Sequence, residues 1–123
     1  MNRINTPTGF RYSNDEHGIA NMFLSLEHGV AANSQRRSVI EAGTPVVGYS
    51  TDSVRRGTHI IVGMAAGSTG GDNVWGSQYD GYTVHTVRWL CAPVWVPADV
   101  AWGTSTNLSG EVLRQMMEYA LAA

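Results

Sequence analysis

The chain has 123 residues, a formal net charge of −2 and an isoelectric point near 6.0. That length suits one domain spanning residues 1–123, with a core that needs neither disulfide nor structural metal. The charge argues against broad, non-specific nucleic-acid binding, which needs many phosphate-neutralising cations. The lone Cys91 cannot form an intramolecular bridge and suits a reducing compartment. No apolar run reaches the ~20 residues of a membrane span, and MNRINTPTGF carries no apolar signal segment. A cytoplasmic protein is the expectation.

In chain order, GFRYS (9–13) reads as a short strand with Phe10 and Tyr12 on one face. Residues 14–28 read as an amphipathic helix. Ser13 and Glu16 form a capping box, Ile19, Met22, Phe23, Leu26 and Val30 follow helical spacing, and Gly29 ends it. Residues 30–43 are a polar connection. Pro45 opens a strand, Val46–Ser50, and TDSVRRG is a turn. His59–Ala65 is an apolar, β-branched run that reads as a buried strand. GSTGGDNVWGSQYDG is a glycine-rich loop. Tyr82–Val96 supplies one long strand broken near Pro93, or two short ones, and Val100–Trp102 adds another. Ser109 caps a final helix whose Val112, Leu113, Met116, Met117 and Ala120 face the core. This order predicts a small α+β domain on a curved or barrel-like sheet, without alternating βαβ units.

Several chemistries are missing from the sequence. GSTGGD has neither the Lys-Ser/Thr pair of a P-loop nor the spacing of a dinucleotide fingerprint. His17, His28, His59 and His85 show no metal-ligand spacing, and His17 and His28 lie ~16 Å apart on one helix. No nucleophile elbow appears. Cys91 has no neighbouring cation to lower its pKa. No cofactor is expected. An enzyme would need at least two of His28, His59, His85, Asp72 and Asp80 to converge on one cleft.

Aromatic residues and arginines are what the sequence offers instead. All eight cationic residues are Arg, with doublets at Arg36–Arg37 and Arg55–Arg56. Guanidinium groups fork onto phosphate where ammonium groups do not. Trp75, Tyr79, Tyr82, Trp89, Trp95 and Trp102 fall within 28 positions. Strand alternation puts His85, Val87, Trp89 and Cys91 on one face and Tyr82, Val84, Thr86 and Arg88 on the other. Trp89 and Trp95 suit a small core. Trp75, in a polar loop, suits stacking on a flat ligand.

Four stretches in order, DEHGIANMF, LEHGV, AGTPVVGYS, and HIIVGMA followed by YTVHTVRWL, resemble the EVE domain, a PUA-like fold related to YTH and ASCH domains. The resemblance covers roughly residues 10–115. It implies a PUA-like curved sheet or small β-barrel flanked by an N-terminal and a C-terminal helix. It also implies a non-catalytic reader that holds a flipped, modified base, such as 5-methylcytosine or N6-methyladenine, in an aromatic cage between the sheet and the first helix. A separate motor or nuclease protein is the implied partner of such a module. Carried onto this chain, the ligand-binding residues are His28, Tyr49, Ser50 and Trp89, with Asn33 and Ser34 as candidates for bonds to base edges. Trp75 is nominated as a lid on physical grounds, and Arg36, Arg37, Arg55 and Arg56 as phosphate contacts. The alternatives are a small-molecule or free-nucleotide binder on the same sheet, a small hydrolase or transferase on a related barrel, and a structural domain with its aromatics buried.

Overall fold

The computed structural model describes residues 7–31, 40–69, 84–97 and 110–123. In chain order they form β1 (Thr8–Arg11), α1 (Asp15–His28), β2 (Pro45–Asp52), β3 (Gly57–Thr69), β4 (Val84–Trp89), β5 (Val94–Pro97) and α2 (Gly110–Ala122). The α+β expectation holds: two helices accompany one mixed five-stranded sheet. Among the described residues that sheet is open, in the order β1-β2-β3-β4, with β5 pairing the first residues of β3.

The sheet has no run of alternating βαβ units, but it does contain one parallel pair. β1 and β2 pair in parallel, Thr8 opposite Val46 through Arg11 opposite Tyr49. A parallel neighbour needs a crossover, and α1 supplies it. The other pairings are antiparallel. Tyr82–Val96 resolves into two strands within its described part, because the chain leaves the ladder between Leu90 and Pro93. β4 and β5 therefore take successive halves of one edge of β3.

Strand alternation divides the core in two. Phe10, Tyr12, Val46, Ile61, Ala65 and Val87 form one cluster with Met22 of α1, and Ile19 and Trp89 pack against it. Val47, Ile60, Val62 and Val96 form the other with Leu113, Met116 and Ala120 of α2. Helices thus cover opposite faces of the sheet. The α2 stripe lies where its periodicity predicts. Cys91, expected beside Trp89, packs instead against the α2 cluster, because alternation stops where β4 ends.

The α1 stripe differs from its expected form. Its buried residues are Gly18, Met22 and Ser25, while Phe23 is 57% exposed. The N-cap is Asn14, which makes no side-chain capping bond, so the Ser13–Glu16 box does not set the helix start. Gly29 does end the helix, in the left-handed region at φ 65°. Ser25 anchors this end. Its carbonyl accepts the N–H groups of Gly29 and Val30 and the indole N–H of Trp89, and its hydroxyl meets the Tyr12 hydroxyl at 2.7 Å. The chain then runs along β4, where Ala31 N–H donates to the His85 carbonyl and Val87 N–H to that of Gly29, each at 2.9 Å.

Candidate functional site at the rim of the sheet

Because β1 and β2 run parallel, their C-terminal ends lie side by side, with Arg11 level with Tyr49. The β2–β3 hairpin turns at the same end, and β5 finishes there with Trp95 opposite His59 and Pro97 opposite Gly57. The carboxyl ends of parallel strands, where they feed a helix, are a common place for ligands. The rim so formed carries Arg11, Asn14, Asp15, Ser53, Arg55, Arg56, His59 and Trp95.

The hairpin tip is held by two carboxylates. Asp52 Oδ1 accepts the backbone N–H groups of Val54 and Arg55 at 3.1 and 2.9 Å, an Asx-type turn. Asp15 Oδ1 accepts the Ser53 N–H at 2.8 Å and the Ser53 hydroxyl at 2.9 Å. Arg56 sits in the left-handed region at φ 57°, and Asp15 does so at φ 62°. Held this way, the tip presents Val54, 86% exposed, and the exposed Arg55 and Arg56 to solvent. Arg55 Nε lies 4.0 Å from Asp52 Oδ2, and a contact of that length with a largely exposed guanidinium adds little stability.

Beside the tip is an aromatic pair. The Trp95 and His59 rings lie 4.8 Å apart between centroids and tilt by 57°. A Cβ on Gly57 would come within 2.5 Å of the Trp95 indole, so the ring lies over a position that only glycine leaves open. Burial lowers the His59 pKa, with nearby Asp52 opposing the shift and Arg55 reinforcing it. On the other face of the sheet, burial raises the Tyr49 pKa and Arg11 partly offsets it. Arg11, Tyr12, Ser13 and Asn14 line a shallow, open depression of about 390 Å³.

Among the described residues, those nominated from the sequence do not share one pocket. Ser50 is buried and its hydroxyl donates to the Ser13 carbonyl at 2.6 Å. Tyr49 faces the α2 cluster. Trp89 lies on the α1 face, its indole N–H shared between the carbonyls of Ser25 and Val30 at 3.1 and 3.2 Å. His28 is exposed at the far end of α1, ~20 Å from the rim at 1.5 Å per residue. Of the nominated residues, Arg55 and Arg56 reach the open rim. Trp75, Asn33, Ser34, Arg36 and Arg37 lie outside the described residues, as do Asp72, Asp80 and the Val100–Trp102 segment.

His59 and His85 do not converge either. His85 pairs with Ser68, nine positions along β3 from His59 (68 − 59), or ~30 Å of strand. His85 is buried against the Phe10 ring. Among the described residues, no group of three His, Cys, Asp or Glu is placed to hold a metal ion, and no helix is long and apolar enough to cross a membrane.

Sequence reasoning missed Arg11, Asp15, Ser53 and the His59–Trp95 pair as rim residues. The turn at TDSVRRG was readable, and the structure shows that Asp52 makes it an Asx-type turn. The Asp15–Ser53 contact joins residues 38 apart and leaves no local signal. No protein-family model matches the chain, and no curated protein or solved structure is significantly similar to it.

Proposed function

We propose that the chain is a non-catalytic binding module that takes nucleic acid carrying a modified base, on a sheet of the PUA-like kind. The observation that carries this reading is the rim, where two exposed arginines on a braced hairpin tip stand beside a half-buried tryptophan–histidine pair. Arg55 and Arg56 supply forked donors for flanking phosphates. The Trp95 indole supplies a face for an unstacked base, a contact worth about 1–3 kcal/mol. A methyl group on that base adds apolar area to the contact. Binding concentrated at one rim is also compatible with a net charge of −2. Trp95 takes the place in this reading that the sequence had given to Trp89, because the Trp89 indole is already bonded inside the α1 face. The ordered EVE-like stretches support the PUA-like assignment.

Fluorescence polarisation with short oligonucleotides tests it. Unmodified, 5-methylcytosine, 5-hydroxymethylcytosine and N6-methyladenine versions are compared, single- and double-stranded, at fixed salt. The expected result is preference for one modification, weakened about tenfold by Trp95→Ala in protein whose circular dichroism is unchanged. Arg55→Ala and Arg56→Ala should each weaken all sequences alike and flatten the salt dependence by about one charge. No binding to any oligonucleotide would overturn the reading. Equal binding of a free nucleotide would move it to a small-molecule site on the same rim.

A further inference from the structure

We infer that Asp15 is a positioning residue for the arginine-bearing hairpin tip, an inference that rests on the nucleic-acid reading above. Asp15 and Ser53 are 38 residues apart, yet one carboxylate oxygen takes both the backbone N–H and the hydroxyl of Ser53. Ser53 immediately precedes Val54, Arg55 and Arg56, so this contact ties the first turn of α1 to the root of the tip. Asp15 adopts the left-handed conformation there, at φ 62°. That region is costly for most side chains and tolerated by Asp and Asn. Such backbone is retained where surrounding contacts impose it, and it concentrates at functional sites. The second brace, from Asp52, is local to the hairpin. Asp15 instead links the tip to the helix. A tip fixed before binding loses less freedom on engaging phosphate, which raises affinity without a new contact.

Charge makes the inference testable in sign. Asp15 is an anion near a proposed phosphate site, so removing its charge should by itself tighten binding. Asp15→Asn removes the charge but keeps an oxygen acceptor and tolerates the left-handed backbone. Asp15→Gly removes the charge and frees the backbone but has no acceptor. The oligonucleotide preferred by the wild-type chain is titrated with both variants and with Arg55→Ala, while amide hydrogen exchange is followed at Ser53–Arg56 and in β3. The inference expects Asp15→Asn to bind as tightly as wild type or tighter. It expects Asp15→Gly to bind about fivefold more weakly, with faster exchange confined to Ser53–Arg56. Tighter binding by both variants would leave only an electrostatic role and overturn it. So would an Asp15→Gly variant that matches wild type while Arg55→Ala weakens binding. If Arg55→Ala has no effect, or the wild-type chain binds nothing, the underlying reading has failed and the inference with it.

Discussion

The two faces of the sheet are closed by different physics. On the α2 face, Leu113, Met116 and Ala120 meet Val47, Ile60, Val62 and Val96, an apolar contact between a helical stripe and alternate strand positions. On the α1 face the apolar cluster is threaded with polar contacts. Tyr12 bonds Ser25, Ser50 bonds the Ser13 carbonyl, and Trp89 bonds the end of the helix. There the helix approaches through Gly18, where an added Cβ would run into the Ser13 carbonyl and the Ser50 hydroxyl. Hydrophobic contact specifies size and periodicity and tolerates shape changes. Close approach through a glycine and directed hydroxyls specifies one position for the helix, and the rim inherits that position, because Asp15 is the first residue of α1.

Adding one methyl to the α1 face should break it. Gly18→Ala is expected to cost about 3 kcal/mol, at the upper end of overpacking effects, read as a lowered midpoint in urea unfolding. If Gly18→Ala is neutral, the helix is not held by that contact. A smaller effect follows from Tyr12→Phe, which removes the buried hydroxyl contact to Ser25 and should cost about 1–2 kcal/mol. The α2 face sharpens the contrast: Met116→Leu, a volume-conserving exchange at a fully buried position, should cost under about 1 kcal/mol in the same assay.

The smallest effect concerns pH at the rim end of the α1 face. His59 has its pKa lowered by burial, against Asp52 and with Arg55, so the folded state takes up a proton less readily than the unfolded chain. The stability linked to His59 is therefore complete above about pH 6.5, the unfolded value. It is lost as the pH falls from there through the folded pKa. Lowering the pH below about 6.5 should therefore lower the urea midpoint of wild type relative to that of His59→Gln. Parallel curves would show that His59 makes no such contribution.

Much of this was legible in the sequence, and the misses share a cause. Leu113, Met116 and Ala120 follow from helical period, His85, Val87 and Trp89 from strand alternation, and the end of α1 from Gly29. Each is a local rule with a fixed repeat. Phe23 was expected inside because it is apolar and near the stripe, but the stripe is centred on Gly18 and Ser25, small residues that allow close approach. Tyr49 and Ser50 were nominated together although neighbours in a strand point to opposite faces; Tyr49 meets α2, and Ser50 meets the start of α1.

By itself, then, the sequence determined the element types, the inward residues of most of them and the turn at TDSVRRG, because those depend on patterns of a few residues. Tertiary structure alone decided that β1 lies parallel to β2, which helix covers which face, that Cys91 leaves the face of Trp89, and that Asp15 reaches Ser53. These depend on strand register and on contacts between residues tens of positions apart, which local periodicity does not encode.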